Sequence, residues 1–285
     1  MGCLALAACG NAGSQQLEAS ASATSSPLPQ VDRSAYSHIT ATFNSELQTV
    51  STPLDAYVHT EDELAIIATA NYYPLKDCVL NKGQNIPHHH YQVEYKSYAP
   101  YGVWSPVHAE KYGYSLHKSL GKVYLDDGYQ GQETPEMSQA LAECVQETAD
   151  QEIPVLIKGV AVSGGSIISE ISGQSQALLQ ADPDVQAAIN EWKTCLAEAG
   201  ISMDPQYEQP IPLIPEDTEA NIQQALIDVQ CKQKVRLMER YYNAQAQYEQ
   251  ALIEKNQAAL NTIAQQKEAY LDQARQQLRQ RGISL

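Results

Sequence analysis

Apolar residues recur at helical spacing along most of the chain after residue 53, and this spacing predicts a mainly α-helical protein. The start of the first helix is marked by Thr60 and Glu63, which have the three-residue spacing of a capping box. The apolar positions that follow are interrupted by Pro74. The pattern therefore predicts a kinked helix, or two short ones, ending at Gly83.

Three later helices are predicted by their end signals. Thr134 precedes Pro135 as a helix cap would, since proline is favoured at the first helical position. Residues 166–181 and 183–199 have helical periodicity, and Gly200 stops the second of them. The proline-rich stretch QPIPLIPED follows and predicts an extended linker over residues 206–218.

Residues 219–281 contain neither Pro nor Gly, which predicts one helix of about 60 residues, or about 90 Å at 1.5 Å per residue. Part of it has apolar residues at alternating spacings of four and three, typical of a thin coiled-coil seam. The alternatives are a single surface helix or a helical hairpin, with a break near Asn256 or Gln266. The residues of the seam are Leu237, Tyr241, Ala244, Tyr248 and Ala251.

Between Tyr91 and Tyr129 lie eight tyrosines and Trp104, in a stretch whose periodicity is neither 2 nor 3.6 for long. It is predicted to be irregular, with a short helix over residues 106–111. Tyrosine and tryptophan combine an apolar ring with a polar group, which suits a surface that binds glycan or peptide. The competing interpretation is a cap of packed aromatics over the helices. The candidate ligand-binding residues are Tyr98, Tyr101, Trp104, Tyr112 and Tyr114.

Near the start of the chain, Leu6-Ala7-Ala8-Cys9 has the pattern recognised by the bacterial lipoprotein signal peptidase. The residues before it lack the basic start and the apolar run of about 7–15 residues that a signal peptide needs, so we expect either a start codon further upstream or a chance match. Residues 10–52 begin with a polar, Ser- and Ala-rich stretch, which predicts a disordered tether. Cys9 is therefore the predicted lipid acceptor, with the protein at the outer face of the membrane.

The net charge of −16 is unevenly distributed. Residues 222–285 carry nine Lys and Arg against six Asp and Glu, whereas the rest carries nine against 28. An acidic body repels phosphates, and the basic residues near the C-terminus are interleaved with acids rather than forming a stripe. Nucleic acid is therefore excluded as a partner.

Apart from Cys3 and Cys9, four cysteines remain, and an even number in an exported protein suggests disulfides. No two of them have the close spacing of a structural zinc site. We favour the pairs that link neighbouring segments through moderate loops. The alternative is four buried free thiols in a cytosolic protein. The favoured pairs are Cys78 with Cys144 and Cys195 with Cys231.

No pattern of residues predicts catalysis, a metal or a cofactor. His88-His89-His90, with His108 and His117 nearby, is the best metal candidate, but consecutive histidines point in different directions and favour a solvated turn. Ser163 to Ser166 lacks the Gly-x-Ser-x-Gly form of a nucleophile turn. Asp126 to Gly128 lacks the remaining acids of a calcium loop. A hydrolase is thus a weak hypothesis.

Several short motifs, taken together in their order along the chain, resemble those of a family of uncharacterised exported proteins and lipoproteins of actinobacteria. The resemblance implies export and paired cysteines, but no activity. Val79 departs from it, since relatives often have Met after the first helix cysteine. The motifs are Pro53-Leu54-Asp55-Ala56-Tyr57, Asp77-Cys78-Val79, Tyr101-Gly102-Val103-Trp104, Ala109-Glu110-Lys111-Tyr112-Gly113-Tyr114, Glu143-Cys144, Trp192-Lys193-Thr194-Cys195-Leu196-Ala197-Glu198-Ala199-Gly200 and Asp228-Val229-Gln230-Cys231.

The sequence thus predicts a non-enzymatic, lipid-anchored envelope protein that contacts a partner, or itself, through residues 219–281. The second hypothesis is a module that binds cell-wall glycan or peptide through its Tyr/Trp cluster. The predicted division is a signal remnant (1–9), a tether (10–52), a helical body (53–205), a linker (206–218) and a long helix (219–285) packed partly on the body.

Overall fold

The computed structural model describes residues 28–86, 90–96, 100–115, 118–126, 134–158 and 166–283. Several predicted features lie outside these residues and are not described further: Cys9 and its lipid, Tyr98, His88, His89, His117, the turn at 163–165 and the end of the Asp126–Gly128 turn.

The predicted mainly α-helical fold is confirmed. Within the described residues there are eight α-helices and two separate antiparallel strand pairs. The helices are α1 (Glu61–Asn81), α2 (Pro106–Tyr112), α3 (Pro135–Glu147), α4 (Ile167–Ala181), α5 (Pro183–Glu198), α6 (Thr218–Val235), α7 (Leu237–Lys255) and α8 (Gln257–Gln280). The strands are β1 (Thr42–Asn44), β2 (Thr49–Ser51), β3 (His90–Lys96) and β4 (Lys118–Asp126), and short 3₁₀ turns cover Arg33–Tyr36, Pro53–Tyr57 and Ala149–Gln151.

The helix starts lie where the capping signals place them. Thr60 accepts a hydrogen bond from the Glu63 backbone N–H at 3.3 Å, and Glu63 bonds back to the Thr60 N–H at 2.8 Å. Thr134 caps α3, and Asp182 caps α5. Pro74 lies inside α1, which continues as one helix of 21 residues. These ends depend on contacts within a few residues, which explains why the sequence alone locates them.

The predicted 60-residue helix is three helices instead. Arg236, in the left-handed region at φ 56°, separates α6 from α7, and Asn256 separates α7 from α8. The break at Asn256 is one of the two positions that the sequence left open. Helix α7 packs on α4 and α5, and α8 packs on α1, so their apolar faces belong to the core of this chain. The expected coiled-coil seam is therefore buried within the molecule.

Residues 28–52, assigned by sequence to the tether, form an ordered segment that we call the N-terminal strap. Its backbone is held along α7: the side-chain oxygen of Asn243 accepts from the Ala41 N–H at 2.9 Å, and the side-chain amide of Gln247 donates to the Ile39 carbonyl at 3.2 Å. Arg33 lies 3.0 Å from the buried carboxylate of Asp182. Polar side chains of other elements thus hold the backbone of the strap, and its apolar residues Val31, Ala41, Phe43 and Val50 pack against the core.

The Tyr-rich stretch, predicted to be irregular, contains an antiparallel pair, β3 with β4, on either side of the predicted short helix α2. The register shifts between Tyr91 and Gln92 and again between Gln92 and Glu94. Such bulges change which face a side chain takes, so no clean alternation marks these strands in the sequence.

Both favoured cysteine pairings are confirmed. The Cys78–Cys144 disulfide joins α1 to α3, and the Cys195–Cys231 disulfide joins α5 to α6. Two disulfides indicate an oxidising, extracytoplasmic environment. None of the helices in the described ranges is both long and apolar enough to cross a membrane.

A buried histidine makes the fold sensitive to mild acid. His59 is 4% exposed, and its Nδ1 accepts a hydrogen bond from the Leu156 backbone N–H at 2.9 Å. Its Nε2 lies 3.3 Å from the Lys267 carbonyl oxygen. This arrangement requires a neutral ring with its proton on Nε2. Burial lowers the pKa of His59 below its usual value of 6.5, although the Lys267 carbonyl and the charges of Glu63 and Glu268 oppose the shift.

We expect the free energy of unfolding to decrease as the pH falls below about 6.5. In that range the unfolded chain binds a proton that the folded chain does not, and the decrease ends once the pH is below the folded pKa. The His59→Asn variant should keep an acceptor near Nδ1 and lose this slope. Urea unfolding of both proteins between pH 7.5 and 5 measures the difference. Parallel pH profiles would contradict the assignment.

Candidate functional site

A recess of about 250 Å³ lies at the corner between α6 and α7. We call it the Trp104 recess. It is mainly apolar, and it takes residues from four elements that are far apart in sequence: the β1 region, the start of α2, the end of α6 and the start of α7. The lining residues are Phe43, Ser45, Trp104, Pro106, Lys232, Gln233, Met238 and Glu239.

The turn between β1 and β2 is fastened to the start of α2 by Gln48. The side-chain oxygen of Gln48 accepts hydrogen bonds from the backbone N–H groups of Trp104, at 3.2 Å, and of Ser105, at 3.3 Å. Ser105 in turn donates its hydroxyl to the Ser45 carbonyl at 2.6 Å and caps α2. These bonds place Phe43 edge-on to Trp104, with ring centroids 5.7 Å apart.

The backbone is strained on both sides of the recess. Gln48, at φ 54°, and Arg236, at φ 56°, are the non-glycine residues with positive φ among those described. Each such conformation costs about 1–3 kcal/mol and persists only where surrounding contacts hold it, often at functional sites. Gln48 holds the β1–β2 wall, and Arg236 makes the corner between Gln233 and Met238. The strain thus coincides with the recess.

A buried ion pair forms the floor. Lys232 is 1% exposed, and its ammonium donates to the Asp228 carboxylate at 2.7 Å and to the carbonyls of Tyr101 and Val103 at 2.6 and 2.7 Å. The indole N–H of Trp192 donates to the other Asp228 oxygen at 2.7 Å. Burial lowers the pKa of Lys232, and the Asp228 charge opposes this.

All three N–H donors of the Lys232 ammonium are therefore in use. A lysine that acts as a base or nucleophile needs a free position for its reaction partner. The ion pair instead supports the loop of Tyr101 and Val103 from below, which is a structural role.

The indole N–H of Trp104 has no hydrogen-bond partner among the described residues, although it is buried. Trp104 is 8% exposed. An unpaired buried donor costs about 1–3 kcal/mol, and most buried polar groups in proteins are paired. This N–H and the recess that Trp104 lines are the features that point most directly to a ligand.

The predicted aromatic binding face is dispersed in the structure. Tyr101 is buried between Trp192 and Tyr241, at ring-centroid distances of 5.6 and 5.5 Å. Burial raises the pKa of the Tyr101 hydroxyl to about 12. Four of the predicted ligand-binding aromatic residues lie within the described residues, and of these four Trp104 is the one that lines the recess.

The other two candidates, Tyr112 and Tyr114, are not among the residues that line the recess. The Tyr112 ring is tilted against that of His108, with ring centroids 5.0 Å apart. Tyr114 packs toward α6, with its hydroxyl 3.4 Å from the Gln224 carbonyl oxygen, and burial raises its pKa. The sequence shows that these residues are aromatic and lie close together along the chain. It does not show which of them share a surface in the folded protein.

Sequence reasoning missed the other residues of the recess. Phe43 fell within the expected tether, and Met238 and Glu239 within the expected continuous helix. A signal was nevertheless present: three of the motifs quoted above, around Trp104, Trp192 and Asp228, meet in this one region.

Metal binding has no support among the described residues. His108 is buried with its Nε2 3.3 Å from the Ser115 carbonyl oxygen. In the described part of the chain, the group with suitable ligand spacing is Cys78, Cys144 and Glu147, and its two sulfurs are joined in a disulfide.

Wider clefts of about 410 and 520 Å³ lie beside Cys78 and Cys195. In the first, the charged groups are paired with each other: Lys82 lies 2.9 Å from both Glu143 and Glu147, and Arg281 pairs with Asp77. Neither cleft contains a buried polar atom without a partner, so the Trp104 recess remains the stronger site.

Comparison of the chain with protein-family models, with curated proteins and with solved structures gives no match. The resemblance to exported actinobacterial proteins therefore gains no support from relatives. The fold and the disulfides define the class: a mainly α-helical, extracytoplasmic protein with two disulfides.

Proposed function

We propose that this is a non-enzymatic protein of the cell envelope that acts by contact with another protein, with the Trp104 recess as the anchoring point. The observation that carries the proposal is the recess itself, with its apolar lining and the unpaired Trp104 N–H. Its volume of about 250 Å³ lies below the roughly 300–1,000 Å³ of clefts that enclose a whole small ligand. A recess of this size suits one or two side chains of a partner, as in interface hot spots.

Exposed apolar side chains on the same helices support a protein partner. Val107, next to Pro106 of the recess, is 59% exposed, and Ile227 on α6 is 36% exposed. Leu213 is 54% exposed, and its carbonyl is bonded to Gln224 of α6 at 2.8 Å. The contact predicted for residues 219–281 is therefore proposed for α6 and the α6–α7 corner, since α7 is largely buried.

We further propose that Cys9 carries the lipid that holds the protein at the outer face of the membrane. Between Cys9 and the strap there are 18 residues, most of them small or polar. The strap then runs along α7 to the recess. A partner at or near the membrane surface would be within range.

The alternative, a glycan-binding aromatic face, has less support. Tyr101 and Trp104 are both 8% exposed, whereas stacking on a sugar ring requires an open aromatic face. Retention on purified cell wall that is abolished by Trp104→Ala would favour this alternative over the proposal.

Site-specific photo-crosslinking in membranes tests the proposed contact. Gln233, exposed at the recess, and Gln273, exposed on α8, form a matched pair because both are helical glutamines. A photoreactive phenylalanine at position 233 should give a protein adduct, and one at position 273 should not. Adducts of equal yield at both positions, or no adduct at either position, would refute the contact.

The anchor has a separate test. Cys9→Ser should move the protein from the membrane fraction to the soluble fraction, and continued membrane retention would refute the anchor.

A further inference from the structure

We infer that the Trp104 recess binds an apolar group next to an uncharged oxygen acceptor, as an apolar side chain lies next to a backbone carbonyl in an extended peptide. This inference names the chemistry of the partner and so rests on the proposed function. It follows from three properties of the recess: an unpaired donor, an apolar lining and an electrically balanced interior.

The unpaired donor requires an acceptor. Trp104 Nε1 is buried without a partner in the described ranges, and an indole N–H can only donate. Because this nitrogen is itself buried, a neighbouring side chain must move before an occupant can bring an oxygen to the N–H, and that contact then removes the cost of the unpaired group. A purely hydrocarbon occupant leaves that cost in place, and an occupant that offers only donors adds to it.

The lining selects apolar groups. Phe43, Pro106 and Met238 supply an aromatic ring, a pyrrolidine ring and a thioether around the indole of Trp104. Met238 is 5% exposed, and methionine adapts its shape to an occupant because it is unbranched and polarizable. A volume of about 250 Å³ accommodates a branched aliphatic side chain with the adjoining amide, but not a long chain of sugar units.

The charges favour an uncharged acceptor over a carboxylate. Lys232 lies below the recess, but Asp228 neutralises it and its three N–H groups are already bonded. At the rim, Glu239 forms no ion pair with any described residue, and the exposed Arg236 is close to it in sequence. An anion placed next to Trp104 would lose its hydration, would gain no hydrogen bond from the fully engaged Lys232 and would face the carboxylate of Glu239, which is unfavourable.

An NMR experiment uses the fact that the chain has only two tryptophans, Trp104 and Trp192. The indole N–H of Trp192 is bonded to Asp228 and serves as the internal reference. The full chain, labelled with ¹⁵N in its indoles, is titrated with N-acetyl-leucine methylamide. The same titration is made with N-acetyl-aspartate methylamide and with N-acetylglucosamine.

We expect the leucine compound to shift the Trp104 indole resonance downfield, with little change at Trp192. The aspartate compound and the sugar should bind at least several-fold more weakly. Trp104→Phe keeps an aromatic ring and removes the N–H, so it should weaken binding of the leucine compound about two- to tenfold, measured from the methyl signals of the probe. Val145→Ala, at an exposed position on α3 that does not line the recess, is the control and should bind as the unaltered protein does.

Three results would overturn the inference: no shift at Trp104 with the leucine compound, equal affinity for the aspartate compound or the sugar, or unchanged affinity in Trp104→Phe. The titrations of the unaltered protein decide the question even if Trp104→Phe fails to fold. The outcome is separable from that of the proposed function. Adducts at Gln233 without probe binding would refute the chemistry alone, whereas probe binding without adducts would refute the protein contact alone.

Discussion

Replacing Lys232 with methionine is expected to lower the free energy of unfolding by about 3–5 kcal/mol. The change leaves the buried carboxylate of Asp228 without its cation, and the Tyr101 and Val103 carbonyls without their donor. Burying an uncompensated charge is among the most costly single changes in a protein. Urea unfolding followed by far-ultraviolet circular dichroism measures the loss.

Two further variants separate charge from side-chain size. Lys234→Met makes the same change two residues along α6, at an exposed position, and should alter stability by less than about 0.5 kcal/mol. The double variant Asp228→Asn, Lys232→Met removes both charges and should recover part of the loss. If Lys232→Met lowers the free energy of unfolding by no more than Lys234→Met does, Lys232 does not support the Tyr101–Val103 loop.

Removing the Cys195–Cys231 disulfide by double substitution with serine is expected to cost about 4 kcal/mol. The bond closes a loop with a sequence separation of 36 and so restricts the unfolded chain. It also joins α5 to α6 one residue before Lys232, close to the floor of the recess. Chemical denaturation of the oxidised protein and of the double variant gives the difference.

The Cys78–Cys144 disulfide provides the comparison, since it closes a loop with a separation of 66 and lies away from the recess. On the loop-closure argument its removal should cost slightly more, also about 4 kcal/mol. If removing either disulfide lowers the free energy of unfolding by less than about 1 kcal/mol, the unfolded chain is restricted by something other than that disulfide. Binding at the recess should be weakened by loss of the Cys195–Cys231 bond and unaffected by loss of the other.

Helix starts, helix content and the cysteine pairs were predictable from the sequence for local or covalent reasons. Thr60, Thr134 and Asp182 cap helices through bonds that span two or three residues, so the capping residues are visible in any short window. Four cysteines in neighbouring helical segments allow few pairings, and the pairing with the smallest combined loop length is the observed one.

The predictions that failed depended on long-range contacts. The break at Arg236 has no Gly or Pro to mark it, and it allows α6 to pack on α2 and α5 while α7 packs on α4 and α5. The strap was assigned to the tether together with the polar stretch that precedes it, yet Asp182, Asn243 and Gln247, more than 140 residues away, hold it in place.

By itself, the sequence determined a mainly helical, disulfide-linked protein, because helix periodicity, caps and cysteine spacing act over short distances. Only the tertiary structure decided that, within one buried cluster, Trp104 lines a recess with its N–H unpaired, while Tyr101, three residues earlier, packs between Trp192 and Tyr241. The burial of an aromatic residue depends on what the rest of the chain places against it. In this protein those elements are the β1–β2 turn and the α6–α7 corner, more than 50 and more than 120 residues away in opposite directions along the chain.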